Sequence, residues 1–468
     1  LQALNSLSNT SAMNNSLESQ LSSGLSINSP ANNPAGYITA QGFTSQINGL
    51  TQAISNANEG VSLLQTAQGA ITQQIGIVQQ LNSIAVQAAN GTQTSAESQS
   101  LQTLAAQLTG QVTTIANQSQ FNNINLLDGS FSGVQLQVGA NEGQTMTLSI
   151  NNTTATNIGM YSVGTTYTKP GSGSGKVSAA AGGYTAGTVK ITGPTGQSSA
   201  GIAVTKPESA AAVAQAANAN AGTTGVQAVA TNTTNYTVAA GTTDHLMTFS
   251  LQASGSAGAI GNAVAVNASS LSEAVSQINQ QSNTTGIVAS ISSGYLSLTQ
   301  QSGNNIKFTA VGTAGSGGTV TSKAATLVAA NDIQQGQVQF QSSGAFTANG
   351  AKTDLGTTSS AATLNSLSSI NVSTTQGANQ AINVIKYALA SLNNQGGQLG
   401  AVQQALTANI NNMNTTSQNA TTALGVVQDA NIPQVSTQLT QSEIQAQSGV
   451  AALKASTQLQ QSYLSLLP

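Results

Sequence analysis

The stretch "LTQAISNANEGVSLLQTAQGAITQQIGIVQQLNSIAVQAA" (residues 50–89) decides how this chain folds, because its apolar residues return every three, four or seven positions. That spacing puts them on one face of a long helix and is typical of the contact line of a coiled coil. Gln68 is the polar interruption of this stripe. The apolar members are Leu50, Ile54, Ala57, Val61, Leu64, Ile71, Ile75, Val78, Leu81, Ala85 and Ala88.

The segments on either side of the stripe also predict helices. Leu17, Leu21 and Leu25 recur every four residues, until Pro30 and Pro34 break the pattern. Downstream, "NGTQTSAES" predicts a turn, and "VQLQVGA" and "MTLSI" alternate as strands do. The helix expected between turn and strands carries Leu101, Leu104, Leu108, Val112 and Ile115.

The C-terminal part mirrors the N-terminal part. A second stripe starts at Ile382, Pro433 is expected to end its helix, and a final amphipathic helix follows. Helices at both ends of one chain can bundle only if the middle loops out between them. The second stripe contains Ile385, Leu389, Leu392, Leu399, Leu406, Ile410, Met413, Ala420, Leu424 and Val427. The final helix contains Val435, Leu439, Ile444, Val450, Leu453, Leu459, Tyr463 and Leu466.

The middle of the chain, about 160–365, contains an internal repeat. "SAAAVAQAANANAGTTGVQA" begins at Ser209 and aligns with "SLSEAVSQINQQSNTTGIVA", which begins at Ser270. Extended runs flank both copies, so each is read as strand, helix and strands. We predict a mainly α protein with terminal coiled-coil helices, a helical rod and inserted β-rich, α+β outer domains.

Composition argues for self-association and against catalysis. Charged residues make up 4% of the chain, there is no arginine, and the net charge is −3. A surface with so little charge gives no field to recruit nucleic acid or an anionic membrane, and it resists association only weakly. Cysteine is absent and the acids are scattered, so no catalytic, cofactor or metal site is predicted.

Three local motifs are read as structural. "PGSGSGKV" around Lys176 lacks the glycine and the hydroxyl residue of a phosphate-binding loop, since Pro170 and Val177 occupy those places. His245 is the single histidine and is interpreted as a loop or strand residue. Asn-x-Ser/Thr sequons recur by chance in so Asn- and Thr-rich a chain, for example at Asn232, Asn267, Asn283, Asn371 and Asn414.

Several segments resemble the terminal regions of bacterial flagellin, in the same order at both ends. They are "LSSGLSINSPANNPAG", "GFTSQINGLTQAISNANEGVSLLQTAQGAI", "QFNNINLLDG" and "VGANEGQTMTLSI" near the N-terminus, and "LGAVQQALTANINNMNTTSQNATTAL" and "QLQQSYLSLLP" near the C-terminus. The resemblance covers roughly residues 1–150 and 375–468. It implies a subunit that self-assembles into the extracellular flagellar filament used for swimming.

The resemblance also implies a domain plan. Residues 1–33 and 428–468 would form an inner coiled-coil domain, and residues 34–165 and 370–427 a helical rod with a small β-hairpin region. Residues 166–369 would form a variable outer region with two tandem α+β repeats, about 185–240 and 246–310. Inner packing is expected from Leu17, Leu21, Leu25, Val435, Leu439, Leu453, Leu459 and Leu466. Rod packing is expected from Leu50, Ile54, Val61, Leu64, Ile71, Ile75, Val78, Leu399, Leu406, Ile410 and Leu424.

The implied partners follow from the family. They are further copies of the chain, a filament cap protein, hook–filament junction proteins, a secretion chaperone and the type III export apparatus, with no nucleic acid and no membrane. The absence of a charged-then-apolar leader agrees with that export route. Family members that activate Toll-like receptor 5 present an Arg, a Leu and a Glu where this chain has Gln80, Ile84 and Gln107, so weak receptor recognition is expected.

The chain departs from the family pattern by losing charge. The family reads "LSSGLRINSAKDDAAG", whereas Ser26, Ala31, Asn32 and Asn33 stand here for Arg, Lys and the two Asp. Ion pairs weaken when carboxylates protonate, while amide and hydroxyl hydrogen bonds do not titrate. We therefore hypothesise a filament adapted to acid, with drift in composition as the alternative explanation. A hook–filament junction protein and a surface adhesin remain the alternative functions.

Overall fold

The structure is a computed structural model that describes residues 2–164, 176–177, 187–198, 201–204, 209–240, 246–255, 258–312, 319–322, 328, 332–351 and 360–464. His245 and Leu466 lie outside these residues, and so does most of the motif around Lys176. The α-helices are α1 (Gln2–Ser23), α2 (Pro34–Ala88), α3 (Ser95–Gln118), α4 (Ala210–Asn218), α5 (Ala221–Thr224), α6 (Leu271–Gln280), α7 (Ser282–Thr285), α8 (Thr375–Gln428) and α9 (Ile432–Leu464).

The strands fall mainly between α3 and α8, so the predicted mixture of long terminal helices and a β-rich middle is confirmed. They are β1 (Gln120–Phe121), β2 (Ile124–Asn125), β3 (Val134–Gln137), β4 (Thr145–Leu148), β5 (Gly159–Gly164), β6 (Lys176–Val177), β7 (Gly187–Gly193), β8 (Gly196–Gln197), β9 (Ile202–Val204), β10 (Gln227–Ala239), β11 (Met247–Gly255), β12 (Gly258–Ala268), β13 (Ile287–Ser292), β14 (Tyr295–Gln300), β15 (Asn305–Val311), β16 (Thr319–Ser322), β17 (Ile333–Gln334), β18 (Gln337–Ser342), β19 (Thr347–Ala351), β20 (Ser360–Ala361) and β21 (Thr363–Ser366).

The boundaries of the long helices have local causes. α2 begins at Pro34, where a missing N–H costs nothing, and Asn33 Oδ1 accepts a hydrogen bond from Gly36 N (2.9 Å). α3 begins with a capping box in which Thr94 and Glu97 exchange hydrogen bonds. The expectation that Pro433 ends a helix is wrong: α8 ends at Gln428, and Pro433 lies in the first turn of α9. A proline is harmless there because first-turn N–H groups have no partner inside the helix.

The chain divides into two compact units. Each of the long helices α2 and α8 has one segment in the first unit and one in the second. In the first unit (1–68, 131–150 and 398–468), the start of α2 packs with the end of α8 and the β3–β4 hairpin. A Cβ on Gly60 would lie 2.6 Å from Leu136 Cδ2 and 3.4 Å from Leu406 Cδ1, so the glycine permits this close approach. Leu50, Ala57 and Leu64 are buried there.

In the second unit (69–130 and 151–397), the rest of α2 lies with α3, the start of α8 and the β-rich region. Its helical core includes Ile71, Val78, Val112 and Leu392. Gln74 lies next to the α2 stripe and is fully buried, and its Nε2 donates to Val112 O (3.0 Å) and Thr153 O (3.3 Å). Gln68, the interruption expected from sequence, is half-buried.

One local structure occurs twice in the β-rich middle, at positions that the internal repeat aligns. Asn218 Nδ2 donates to Ala228 O (2.9 Å), while Ala228 N donates to Asn218 Oδ1 (2.7 Å). Asn279 and Ala289 repeat this pair at the same two distances. We call each reciprocal pair the Asn clamp. It ties the end of a helix to the following strand in both copies.

The strands join the copies into larger sheets of antiparallel pairs. Among the described residues, one sheet has the order β13-β14-β10-β18-β5-β21 with β16 beside β10, and another has the order β12-β11-β15-β17-β6. A third has the order β20-β19-β7-β8 with β9 beside β7. The core around α4 also contains Val163 from β5 and Val338 and Phe340 from β18. Strands outside the first copy therefore complete this core. Phe249 and Phe308 belong to a separate core around α6.

Candidate functional site

The helices α1 and α9 pack against each other in antiparallel fashion within the first unit. Leu7 lies against Gly449, where an added Cβ would be 3.7 Å from Leu7 Cδ1, and Leu25 forms a β-bridge with Asp429. Leu17 and Val435 are buried in the pair. The two ends of the chain therefore form one structural element.

Buried polar atoms interrupt the apolar character of this helix pair. Asn14 lies on α1 and Ser442 lies on α9. Asn14 Oδ1 and Ser442 Oγ are both buried, and neither has a hydrogen-bond partner. A buried polar residue in a helix pair disfavours shifted registers, because a shift would place it against apolar groups.

Backbone hydrogen bonds join the two chain ends where α1 and α8 stop. Ser26 N donates to Gln428 O (2.7 Å), and Ala430 N donates to Gly24 O (2.9 Å). Gly24 adopts a positive φ of 73°, which a glycine tolerates at the end of a helix. Sequence periodicity gave no signal for this junction, which we call the 24–27/428–430 bridge, because its partners are about 400 positions apart.

Neutral groups make the hydrogen bonds of the loop between α1 and α2. Ser26 Oγ donates to Gln428 O (3.1 Å), and Asn32 Oδ1 accepts from Ser29 N (3.0 Å) and Ser29 Oγ (2.7 Å). A glycine fits at position 36 because a Cβ there would lie only 2.6 Å from Ile27 Cδ1. The loop is thus held by amides and hydroxyls at positions where the family pattern carries charge.

The residues expected to pack in the inner coiled coil differ in exposure within a single chain. Leu25, Leu439 and Leu453 are half-buried, whereas Leu21 and Leu459 are exposed, at 36% and 57%. Other large apolar side chains on the two helices are also exposed: Leu4, Met13, Ile444 and Val450. This row of uncovered apolar groups, together with Leu21 and Leu459, is called the α1/α9 apolar surface below. It offers contact area to another molecule.

The residues expected to pack in the rod are mostly covered within the chain. Ile54, Val61, Ile75, Ile410 and Leu424 are half-buried. The buried members are Leu50, Leu64, Ile71, Val78, Leu399 and Leu406. Unlike the α1/α9 apolar surface, the residues expected to pack in the rod are therefore covered by other residues of the same chain.

The positions that match the receptor epitope lie on α2 and α3. Gln80 and Gln107 are exposed, and Ile84 is buried, with 8% of its surface accessible. The two exposed positions carry neutral amides, which can form hydrogen bonds but no ion pair.

Three carboxylates hold hydroxyl and backbone groups in caps and turns. Hydrogen bonds from the backbone and side chain of Thr94 lower the pKa of Glu97, and those from Ser269 lower the pKa of Glu273. Hydrogen bonds from the Ser130 hydroxyl, the Ser130 backbone and Asn125 lower the pKa of Asp128. In the described part of the chain, no three His, Cys, Asp or Glu residues are grouped so that they could hold a metal ion. No described helix combines the length and apolar character of a membrane span.

Comparisons with known proteins place the two ends in one family. A model described as the bacterial flagellin N-terminal helical region matches residues 1–132, and one for the C-terminal helical region matches residues 382–467. The chain is 32% identical to the B-type flagellin of Pseudomonas aeruginosa over 498 aligned residues, covering all of the chain and 98% of that relative. It is 40% identical to the flagellin of Escherichia coli O127:H6 over 154 residues, covering 32% of the chain and 27% of that relative.

Solved structures were also compared with the chain. FliC from Burkholderia pseudomallei is 18% identical with a TM-score of 0.32, covering 74% of this chain and 99% of its own. The junction protein FlgL from Legionella pneumophila is 12% identical with a TM-score of 0.30, covering 84% of this chain and 99% of its own. The family assignment rests on the sequence matches.

Proposed function

The chain belongs to the bacterial flagellin family. We propose that it works as a filament subunit whose interfaces stay intact in acid, because neutral polar groups replace charged ones. Its basic role is structural: it is a subunit of the flagellar filament. The observation that carries the assignment is the match to a flagellin along the whole chain. The exposed apolar residues of the paired end helices provide the contact area between copies.

The acid adaptation is inferred from the groups that replace charge. Ser26, Asn32 and Asn33 make hydrogen bonds at 2.7–3.1 Å within or beside the loop that joins α1 to α2. An amide oxygen can cap a helix as a carboxylate does, but it keeps its acceptor at any pH. A subunit held in this way loses few interactions when the pH falls below the pKa values of Asp and Glu.

The experiment is seeded polymerisation of the purified chain at pH 7 and pH 2.5, imaged by electron microscopy. Long filaments of uniform width are expected at both values. Filaments that dissociate at pH 2.5 but stay intact at pH 7 would overturn the acid proposal while leaving the filament role in place. Short rings or monomers at both values would instead favour a junction protein or a surface adhesin.

The remaining partners are proposed from the family. We infer a cap protein at the filament tip, junction proteins at its base, a secretion chaperone on the C-terminal helix and export by the type III apparatus. The chaperone is tested by co-purification of a chaperone from the same flagellar system with the full chain and with Leu459→Ser. Loss of the complex only in the variant supports docking on the last helix, and equal capture of both proteins argues against it.

Toll-like receptor 5 recognition is proposed to be weak, because Gln80 and Gln107 cannot form the charge-assisted hydrogen bonds of an Arg and a Glu. A reporter assay with pure monomer tests this. The double variant Gln80→Arg/Gln107→Glu is expected to raise the response, and a full-strength response of the unmodified chain would contradict the proposal.

A further inference from the structure

A cavity of about 240 Å³ opens between the edge of the β13-β14-β10-β18-β5-β21 sheet and the first turns of α8. All of its lining residues belong to the second unit. Sites that enclose drug-sized ligands have volumes of about 300–1,000 Å³, so this cavity suits a smaller molecule.

The floor of the cavity is apolar. Met160 comes from β5, Ile370 from the turn before α8, and Ala381 and Val384 from α8 itself. Each of these side chains has less than a tenth of its surface exposed. The floor can therefore contact C–H groups of a ligand over a small area, and most of the accessible lining is polar.

The rim consists of exposed amides from β18, β21, α8 and the turn before α8. Gln339 lies on β18, Asn365 on β21 and Asn371 in the turn before α8, while Gln380 and Asn383 lie on α8. The rim and the floor together form a cleft with one polar edge and one apolar surface.

Internal hydrogen bonds hold three of the five rim amides and leave part of each of these groups for a ligand. Gln339 Oε1 accepts from Gln341 Nε2 (2.8 Å), which leaves the Gln339 Nε2 donor. Asn365 Nδ2 donates to Ser162 Oγ (2.7 Å), which leaves the Asn365 Oδ1 acceptor. Asn371 Oδ1 accepts from Ser373 N (2.8 Å) and Oγ (2.7 Å), which leaves its Nδ2 donor. Donors and acceptors of these three amides thus remain available to a ligand.

The chemistry of the lining selects the class of ligand. None of the lining residues is charged, so a phosphate, carboxylate or ammonium group would lose water without gaining a counter-charge. A hydroxyl group both donates and accepts hydrogen bonds, and so it matches the mixed rim. A pyranose ring offers such hydroxyls on its edge and C–H groups on its face.

We propose that this cleft binds one neutral sugar unit, which would give the filament surface a weak lectin-like contact. None of the cleft residues belongs to α1 or α9, which carry the exposed apolar residues proposed as the contact area between copies. Repetition of the subunit along a filament would multiply a weak single-site affinity.

The test is ligand-observed saturation-transfer NMR and calorimetry with the full monomeric chain. The probes are glucose, galactose, mannose and N-acetylglucosamine, each with its methyl glycosides, and glucuronate and glucosamine as charged counterparts. Millimolar binding of at least one neutral sugar is expected, with at least tenfold weaker binding of its charged counterpart. Preference for the methyl glycoside would indicate a glycan end, and preference for the free sugar would indicate a solute.

The double variant Gln380→Ala/Asn383→Ala is expected to weaken that binding at least tenfold without changing the thermal unfolding of the protein. Asn379→Ala is the matched control, because Asn379 is exposed on the same helix but does not line the cleft. Absence of any neutral sugar signal at 50 mM, equal binding of charged sugars, or equal effects of the two variants would each overturn the proposal.

Discussion

The terminal helices α1 and α9 differ from the β-rich middle of the chain in how far their apolar residues are buried. We call the parts of that middle that contain the cores around α4 and α6 the first and second outer modules. Phe249 and Phe308 are almost wholly buried in the core around α6, and Phe340 in the core around α4. On α1 and α9, by contrast, Met13 and Leu459 are more than half exposed. The modules complete their cores within one chain, whereas the terminal helices keep apolar area that only another molecule can cover.

The largest effect on assembly is expected from the double variant Met13→Ser/Leu459→Ser. Burying the exposed half of two such side chains in a subunit contact contributes about 2–3 kcal/mol, so the critical concentration should rise about 30-fold or more. Unfolding of the monomer should change by less than about 0.5 kcal/mol, because both side chains are already exposed. Sedimentation of seeded polymer and thermal unfolding of monomer measure the two quantities.

The control for that variant is Val229→Ser, which removes an exposed apolar residue (43%) from the outer sheet. It should leave the critical concentration unchanged. If it blocks assembly as strongly as the double variant does, the contrast between modules and terminal helices fails.

The largest effect on unfolding is expected from Phe308→Ala, which should lower the stability of the second outer module, the one with the core around α6. The ring contacts those of Tyr236 and Phe249, with centroids 5.0 and 6.3 Å away. Its removal should destabilise the module by about 3–5 kcal/mol, as measured by denaturant unfolding. Filaments should still form, since α1 and α9 are unchanged. Val288→Ala, at an exposed position of β13, serves as control, and loss of filaments in Phe308→Ala alone would show that the outer core is required for assembly.

A smaller effect is expected from breaking the Asn clamps. Asn218→Ala and Asn279→Ala should each cost about 1–3 kcal/mol, because a backbone N–H and a C=O lose their partner. Equal losses would confirm that the two copies are energetically equivalent. Gln280→Ala, beside the second clamp on the exposed face of α6, should be close to neutral. Unequal losses would show that strands outside the first copy change its energetics.

The smallest effect is expected from pH, through the Thr94–Glu97 capping box. Folding lowers the pKa of Glu97, so its stabilising contribution is present above the unfolded pKa of about 4.3 and is lost as the pH falls through the folded value. Glu97→Gln keeps the capping geometry without a titrating group. The melting temperature of this variant should therefore fall less between pH 5 and pH 2.5 than that of the unmodified chain.

Glu18→Gln is the control, because it removes the same charge from a position past the first turn of α1. The fall in melting temperature between pH 5 and pH 2.5 is compared between the two variants. An unchanged pH dependence in Glu97→Gln would mean that the capping box does not contribute. Asp128 and Glu273 also have lowered pKa values, so their stabilising contributions are lost in acid as well. These losses limit the acid resistance that the proposal predicts. Glu97 and Glu273 are exposed and Asp128 is half-buried, so solvent screens much of their contribution.

Local pattern alone determined much of the fold of this protein. The three-, four- and seven-residue spacing predicted the long helices, period-two alternation predicted the β3–β4 hairpin, and the aligned Asn218 and Asn279 revealed the repeat. These signals work because helix and strand periods are properties of neighbouring residues. Packing in the filament stays a prediction for Leu21 and Leu459, which are exposed in the single chain.

Only the tertiary structure decided which distant groups meet. β10 pairs with β14, β16 and β18, and the 24–27/428–430 bridge joins residues about 400 positions apart. It also decided that Gln74, a polar residue next to the stripe, is fully buried and hydrogen-bonded to Val112 O and Thr153 O. Such pairings depend on the shape of the whole chain, because the free energy of a contact is gained only where two remote surfaces fit. A periodic pattern specifies the face that a residue occupies, and the folded chain specifies what covers that face.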